Sequence, residues 1–153
     1  MENLKTGDKA PYFQLQDQDE KIVRLSDFKG RKLLIYFYPK AITPGCTLQS
    51  CSVSNAREDF KSLGIAVIGI SSDKPSKQKK FDQLFNLGFP LLSDTGHNAA
   101  EAYGAWGEKS FMGKKFTGII RSSFLIDENG TILRSWYKVS PLDTVPNVKN
   151  YLK

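Results

Sequence analysis

The sequence predicts an α/β fold in which helices flank a mixed central β-sheet. Three observations support this prediction. Apolar runs of strand length alternate with segments of helical periodicity through the middle of the chain. The hairpin turn signal Asp-Glu-Asn-Gly occupies positions 127–130, and a polar turn separates two short strand-like segments near the N-terminus. Strand–helix–strand order favours parallel pairing, whereas hairpins are antiparallel, so we expect a sheet with both.

The N-terminal part of the chain is predicted to be β-structure. Phe13 and Leu15 alternate with polar residues, and Ile22 and Val23 follow after a polar turn, which predicts an N-terminal β-hairpin. Residues 33–38 read Leu-Leu-Ile-Tyr-Phe-Tyr, an apolar run rich in aromatic and branched side chains. Such a run predicts a buried central strand.

Helices and strands alternate in the middle of the chain. A helix is predicted over residues 44–63 and should stop at Gly64. Residues 65–70 predict a second strand, residues 76–88 a second helix, and residues 89–92 a short strand. The predicted buried face of the first helix carries Val53, Ala56, Phe60 and Leu63.

The C-terminal part begins with one or two predicted helical turns over residues 99–103. Residues 106–118 are rich in glycine, lysine and aromatic residues and are interpreted as a loop. Residues 119–126 and 131–136 predict two strands joined by the turn at 127–130, and Asp143 marks the start of a last helix.

This order of elements matches a thioredoxin-like core with an N-terminal β-hairpin extension. The chain has 153 residues, of which 40% are hydrophobic and 25% charged, and we expect it to form one domain over residues 1–153. A shared fold does not fix function, so function must be inferred from particular residues.

Composition excludes several classes of function. No apolar run approaches the ~18 residues of a membrane span, and the polar residues 1–5 lack the apolar core of a secretion signal, so we expect a cytoplasmic protein with no membrane partner. The net charge of +6 would allow nucleic-acid binding, but lysine and arginine are scattered and no binding signature accompanies them. Two cysteines and one histidine are too few for a structural zinc site, so neither a metal nor a nucleic-acid partner is expected.

Cys46 is the candidate nucleophile. Thr43 is a good N-cap and Pro44 suits the first helical position, so Cys46, after Gly45, should lie in the first turn of a helix. Free N–H groups and the helix dipole favour an anion there, and the thiolate is the reactive form of cysteine. His97 lies in a polar stretch, so we expect an arginine rather than this histidine to assist Cys46.

The spacing of Cys46 and Cys51 leaves two interpretations open. On an intact helix, five positions rise about 7.5 Å and leave the side chains about 140° apart. A disulfide needs Cα atoms within about 6.8 Å and converging side chains. Either Cys51 is an inert core thiol, or the first turns unwind when Cys46 is oxidised to a sulfenic acid that condenses with Cys51.

Two further candidates have alternative interpretations of their own. The Thr43 hydroxyl could bond an oxyanion or the thiolate, or could merely cap the helix. Arg121, early in the predicted strand 119–126, could point into the site and favour a thiolate, or could lie in solvent at the strand end.

Several motifs in the same order resemble those of peroxiredoxins, and specifically of the bacterioferritin comigratory protein (Bcp, or peroxiredoxin Q) subfamily. The central one is Tyr-Pro-Lys…Thr-Pro-Gly-Cys-Thr over residues 38–47. The others lie at residues 7–11, 69–73, 106–109 and 121–127, so the similarity covers essentially the whole chain.

This resemblance implies a thiol peroxidase that reduces hydrogen peroxide and organic hydroperoxides without a bound cofactor. It implies that Cys46 is the peroxidatic cysteine, that Thr43 contacts the peroxide and that Arg121 lies beside the thiolate. Cys51 matches a resolving cysteine that forms an intramolecular disulfide, which thioredoxin then reduces. The residues implied to shape the pocket are Pro39, Thr43, Pro44 and Gly45.

The sequence departs from the wider family pattern in two ways. Many members carry Glu three positions after the peroxidatic cysteine, where this chain has Gln49, so a role that needs a carboxylate there is in doubt. There is no cysteine near the C-terminus, which excludes resolution across a dimer and favours a monomer. The rival enzyme classes are a one-cysteine peroxidase with an inert Cys51 and a protein-disulfide oxidoreductase, which C-x4-C spacing disfavours.

Overall fold

The polypeptide folds around a sheet of seven strands with helices on both faces. The structure is a computed structural model that describes residues 3–153; Met1 and Glu2, in the polar N-terminal segment, lie outside the described residues. In chain order the elements are β1 (Gln14–Gln16), β2 (Ile22–Arg24), a 3-10 turn (Leu25–Phe28), β3 (Lys32–Phe37), α1 (Pro44–Asn55), α2 (Arg57–Ser62), β4 (Ile65–Ser71), α3 (Pro75–Phe85), β5 (Leu91–Ser93), α4 (Asn98–Ala102), β6 (Trp106–Phe111), β7 (Lys114–Ile119), β8 (Ser122–Ile126), β9 (Ile132–Trp136) and α5 (Thr144–Leu152).

The central sheet mixes parallel and antiparallel pairs, as predicted. Its strand order is β2-β1-β5-β4-β3-β8-β9. Strands β3, β4 and β5 are parallel, whereas β8 pairs antiparallel with β3, and β9 antiparallel with β8. The predicted N-terminal hairpin is present as β1 and β2, and β1 adds antiparallel to the free edge of β5. The last helix begins directly after Asp143, also as predicted. Among the described residues, no helix has the length and apolarity that a bilayer crossing requires.

Strand β3 lies at the centre of the sheet and is buried on both faces. Leu33, Ile35 and Phe37 point into one apolar core, which also contains side chains of α4. Leu34 and Tyr36 point into the second core, on the opposite face. Each helix on that second face contributes a fully buried side chain: Val53 from α1, Phe60 from α2, Phe81 from α3 and Val148 from α5. The end of β3 is therefore held firmly where the chain enters α1.

The predicted helix over residues 44–63 is wrong in one respect, because two helices replace it. Ala56 leaves helical geometry, with φ −95° and ψ 0°. Two side chains fix this break: Ser54 Oγ donates to the Leu87 carbonyl at 2.6 Å, and Arg57 Nη1 donates to the Ser54 carbonyl at 2.9 Å. The predicted stop at Gly64 is confirmed, with a φ of +74°. Helix α1 is thus a separate segment of twelve residues.

The predicted loop over residues 106–118 is also wrong. Strands β6 and β7 form an antiparallel hairpin there, outside the central sheet. Its two-residue turn, Met112–Gly113, has positive φ at both positions, 52° and 80°. The first four residues of β7 are exposed, so the hairpin lacks the apolar alternation that would have predicted it.

Arg121 does not lie within a strand, contrary to the prediction of one strand over residues 119–126. Strand β7 ends at Ile119 and β8 begins at Ser122, so Arg121 occupies a short link between two sheets. The link is held by backbone hydrogen bonds, from Ile120 N–H to the Ala105 carbonyl at 2.8 Å and from Val139 N–H to the Arg121 carbonyl at 3.0 Å. These bonds fix the backbone from which the Arg121 side chain extends.

Gly69 in β4 is a position where added volume should destabilise the fold. A Cβ atom there would lie 2.8 Å from Tyr36 Cζ and 3.0 Å from Tyr38 Cε1. We expect Gly69→Ala to lower the free energy of unfolding by about 1–3 kcal/mol, because two buried aromatic rings would have to shift. Urea unfolding measures this change. Gly96→Ala, whose Cβ would meet nothing closer than 3.6 Å, is the matched control, and equal stability of the two variants would contradict the expectation.

Candidate active site

Cys46 lies in the first turn of α1, as predicted, at the junction between the central strand and a helix. Thr43 occupies the N-cap position with extended dihedrals, φ −91° and ψ 155°, and Pro44 is the first helical residue. The first helical hydrogen bond runs from Thr47 N–H to the Thr43 carbonyl at 2.8 Å. The N–H groups before Thr47 therefore have no partner within the helix. Cys46 itself is 1% exposed.

A guanidinium group faces the sulfur of Cys46. Arg121 Nη2 donates to Cys46 Sγ at 3.5 Å, and Arg121 Nη1 donates to Gln49 Oε1 at 2.6 Å. The structure therefore places Arg121 against the cysteine rather than in solvent. A fixed positive charge beside the sulfur, together with the positive end of α1, stabilises negative charge on that atom.

Gln49 connects this pair to the C-terminal helix. Its Nε2 donates to Thr144 Oγ1 at 3.0 Å, and Thr144 Oγ1 lies 3.4 Å from Ser123 Oγ. Gln49, Ser123 and Thr144 are all fully buried. Gln49 therefore bonds both Arg121 and Thr144. Because Gln49 is neutral, it orients Arg121 without cancelling its charge.

The hydroxyl of Thr43 does not cap α1. Thr43 Oγ1 donates to the Lys40 carbonyl at 2.7 Å, so it braces the loop that leads into the helix. Pro39, half-buried, lies at the start of the same loop. Thr43 thus lies three positions before Cys46 at the start of α1, but the structure records no hydrogen bond between the Thr43 hydroxyl and Cys46.

Gly45 and Pro44 form the entrance to the first turn. A Cβ atom at Gly45 would lie 3.3 Å from Arg121 Nη2 and 3.4 Å from Pro141 Cγ. Any larger residue at this position would therefore press on the guanidinium group. Pro44 is exposed, so the entrance opens to solvent on that side.

The loop before α1 is anchored by a hydrogen bond at Ala41 and has a strained backbone at the next residue, Ile42. Ala41 N–H donates to Asp73 Oδ2 at 2.7 Å, and Ser71 Oγ donates to the same oxygen at 2.7 Å. The next residue, Ile42, has a φ of +65°, which is unusual for a β-branched side chain. Such a conformation costs on the order of 1–3 kcal/mol and persists only where its surroundings enforce it. The anchored, strained loop leads directly into the helix that carries Cys46.

Cys51 is the second free thiol, and it lies on the same unbroken helix as Cys46. Five helical positions separate the two Cα atoms by about 7.5 Å and turn the side chains about 140° apart. The two thiols therefore cannot form a disulfide while α1 is intact. Burial raises the pKa of the half-buried Cys51 thiol, so Cys51 stays protonated at a higher pH than an exposed cysteine would.

Lys109, His97 and possible metal ligands are the remaining candidates for chemistry at the site. Burial lowers the pKa of Lys109 on β6, and the charge of Arg121 lowers it further, while Cys46 acts in the opposite direction. His97 stacks on Trp106 with ring centroids 4.0 Å apart, at the start of α4. Within residues 3–153, no three His, Cys, Asp or Glu side chains meet in a way that could hold a metal ion.

Sequence patterns assign no role at the site to Asp73, Pro141 or Thr144, although Asp73 lies in the motif at residues 69–73. Asp73 follows the C-terminal end of a parallel strand, a place where α/β folds commonly put functional groups, and this signal could have found it. Thr144 carries no such signal. It is 95 positions from Gln49, and only the packing of α5 against α1 brings them together.

The chain matches one family model and has relatives over its whole length. The AhpC/TSA family model matches residues 6–135. Peroxiredoxin Bcp of Escherichia coli is 53% identical over 132 residues, covering 86% of this chain and 85% of that protein. A Bcp peroxiredoxin of Haemophilus influenzae is 48% identical over 153 residues, covering 100% of this chain and 99% of that protein.

Solved structures give the same result. BcpB, a peroxidoxin of Mycobacterium tuberculosis, has a TM-score of 0.86 at 30% identity, covering 98% of this chain and 97% of that chain. A peroxiredoxin Q of Xanthomonas campestris has a TM-score of 0.86 at 31% identity, with 92% and 89% covered. The predicted thioredoxin-like fold and the predicted family are both confirmed. The chain therefore belongs to the AhpC/TSA family, and within it is a peroxiredoxin, a thiol peroxidase, of the Bcp or peroxiredoxin Q type.

Proposed function

We propose that this enzyme reduces hydrogen peroxide and organic hydroperoxides at Cys46, and that Cys51 then closes an intramolecular disulfide that thioredoxin or a similar dithiol protein reduces. The observation that carries the proposal is the 3.5 Å contact between Arg121 Nη2 and Cys46 Sγ in the first turn of α1. Of the two thiols, Cys46 has a cation beside it, whereas burial raises the pKa of Cys51. Cys46 is therefore the nucleophile.

In the first step, the Cys46 thiolate attacks one oxygen of the peroxide O–O bond. A hydroxyl group is transferred to sulfur, giving a sulfenic acid, and the departing oxygen takes a proton from solvent to become water or an alcohol. Arg121 and the free N–H groups of the first turn stabilise the charge that moves from sulfur to the leaving oxygen. Pro39, Pro44 and Gly45 shape the entrance, and the Thr43 hydroxyl turns from Lys40 to contact the peroxide.

In the second step, Cys51 attacks the Cys46 sulfenic acid, an S–S bond forms, and water leaves. The separation of the two thiols on α1 means that this helix must first unwind. Its buried face is mostly polar or small, since only Val53 among its buried residues has a branched aliphatic side chain. The break at Ala56 allows α2 to stay folded, and the strain at Ile42 lowers the cost of releasing the start of α1.

Oxidation with one equivalent of hydrogen peroxide tests this cycle. We expect a mass loss of two hydrogens, a peptide cross-linked between Cys46 and Cys51, and increased amide exchange over residues 44–55. Helix α2 should keep its protection, because Phe60 anchors it in the apolar core independently of α1, and it serves as an internal control. Cys51→Ser should instead gain one oxygen on Cys46. Unchanged protection of α1 in the disulfide form would contradict the unwinding.

A one-cysteine mechanism is the second candidate, and the raised pKa and partial burial of Cys51 favour it. In that case Cys51 is a packing thiol and an external thiol reduces the sulfenic acid. The same mass measurement separates the two mechanisms, because a stable added oxygen on Cys46 in the unmodified sequence would show that Cys51 does not react.

The proposal extends to the cellular setting of the enzyme. The cycle requires both thiols to return to the reduced state, which a reducing cytoplasm maintains. The second thiol lies in the same chain, so the cycle needs no partner subunit. We therefore also propose that the enzyme is a monomer that works as one domain. Cell fractionation tests the location, and light scattering of the reduced protein tests the monomer.

A further inference from the structure

We propose that Thr144, the first residue of α5, is a positioning residue that holds Gln49, and through it Arg121, in the orientation that faces Cys46. The inference deepens the proposed function and rests on Cys46 as the reacting group. Thr144 does not touch the sulfur. Its contact is the 3.0 Å hydrogen bond from Gln49 Nε2 to Thr144 Oγ1, and Gln49 Oε1 lies 2.6 Å from Arg121 Nη1.

The directions of the two hydrogen bonds that join Arg121, Gln49 and Thr144 follow from the fact that an arginine side chain can only donate. Arg121 must face an acceptor, so the carbonyl oxygen of Gln49 points to it and the amide nitrogen points away. That nitrogen is a donor, so Thr144 Oγ1 must accept from it. The hydroxyl proton of Thr144 is then free to point at Ser123 Oγ, 3.4 Å away. Arg121 thus selects the orientation of the Gln49 amide, and Thr144 Oγ1 supplies the acceptor that the amide nitrogen then needs.

Burial makes the Thr144 acceptor necessary. Gln49, Thr144 and Ser123 are all 0% exposed, so water cannot replace a lost partner. Without the Thr144 hydroxyl, the amide nitrogen of Gln49 would be a buried donor with no acceptor there. Turning the amide over would place its NH2 group against the Arg121 guanidinium, donor against donor. In the first case Gln49 must move to find another acceptor, and in the second it repels the guanidinium. Either result disturbs the contact between Gln49 and Arg121 Nη1.

The two contacts of Arg121 fix its guanidinium as a unit. Nη1 is held by Gln49 while Nη2 points at Cys46 Sγ, so a change at Nη1 tilts the group and moves Nη2 relative to the sulfur. Misplacing a catalytic contact by about 1 Å can cost about a hundredfold in rate. The Thr144 hydroxyl is not needed to start α5, since the N-cap of that helix is Asp143, whose carbonyl accepts from Asn147 N–H.

The test compares Thr144→Val, which removes the hydroxyl at nearly constant volume, with Thr144→Ser, which keeps it. The measurements are the rate of Cys46 alkylation by iodoacetamide as a function of pH, made in a Cys51→Ser background, and the second-order rate with hydrogen peroxide. We expect the valine variant to lose about tenfold in the peroxide rate and to need a higher pH for half-maximal alkylation. The serine variant should stay within about twofold of the unmodified rate.

Val148→Ala is the matched control, because Val148 is also fully buried on α5 but has no polar contact with the site. It should lower the stability of the protein without moving the alkylation profile. Thr144→Ala gives the same comparison if the valine variant does not fold. Equal profiles for Thr144→Val and the unmodified protein, or equal losses in Thr144→Val and Val148→Ala, would overturn the inference.

The alkylation measurement also separates this inference from the proposed function. If the unmodified protein does not react with peroxide at Cys46, the proposed cycle fails. The pH profiles of alkylation still decide the role of Thr144 in that case, since alkylation requires only the thiolate of Cys46 and no peroxide.

Discussion

Replacing Cys46 by serine is expected to lower peroxide reduction at least about a thousandfold while leaving the fold intact. A serine hydroxyl stays protonated near neutral pH and needs a base to act as a nucleophile. Among residues 3–153, the side chain recorded against the sulfur is Arg121, which can only donate, and the one histidine of the chain, His97, is stacked on Trp106. Oxygen is smaller than sulfur, so the buried position accepts the change without overpacking.

Stopped-flow consumption of hydrogen peroxide measures this effect, and urea unfolding checks the fold. Cys51→Ser is the matched control: it removes the other thiol, and it should still consume one equivalent of peroxide per chain in a single turnover. Peroxide consumption by the Cys46→Ser protein at the unmodified rate would transfer the nucleophilic role to Cys51 and reject the proposed cycle.

Local sequence patterns predicted the parts of the molecule that depend on neighbouring residues. The apolar run at residues 33–38 is buried on both faces because each side chain of a central strand must meet a core. Thr43 and Pro44 start α1 where their backbone preferences place it, and this alone puts Cys46 in the first turn. Gly64 ends α2 because the chain needs a positive φ there.

Predictions failed where distant residues decide the structure. The break between α1 and α2 depends on a hydrogen bond from Ser54 to Leu87, 33 positions away, which no helical periodicity reports. The β6–β7 hairpin is held by backbone pairing around a Met112–Gly113 turn, with one residue of β7, Ile119, fully buried. An exposed hairpin of this kind has the composition of a loop, so its sequence predicts a loop.

The site itself was only partly predictable for the same reason. Arg121 and Cys46 are 75 positions apart, so sequence spacing does not predict their contact, whereas the family resemblance does. The effect of Gln49 required the structure. A glutamate there would form an ion pair with Arg121 and offset its charge, whereas the amide orients Arg121 and leaves its positive charge to act on the sulfur.

This arrangement makes Arg121 the residue whose loss should matter most after Cys46. We expect Arg121→Gln to lower the second-order rate with hydrogen peroxide about a hundredfold, the size of effect seen when one stabilising donor is removed from a reacting centre. The substitution removes the positive charge at the sulfur and leaves the carbonyl oxygen of Gln49 without its donor. The rate of Cys46 alkylation at neutral pH should fall with it, because the guanidinium contact that stabilises negative charge on the sulfur is gone.

Arg134→Gln is the matched control for this last prediction. Arg134 is exposed on β9, so the control makes the same change in net charge without altering a contact of Cys46. It should leave both rates within about twofold, since the charge of an exposed side chain is largely screened by solvent and salt. Equal losses in the two variants would mean that the overall charge of the protein, rather than the contact at 3.5 Å, promotes the reaction. A loss confined to Arg121→Gln would locate the effect in the guanidinium that Gln49 holds against the sulfur.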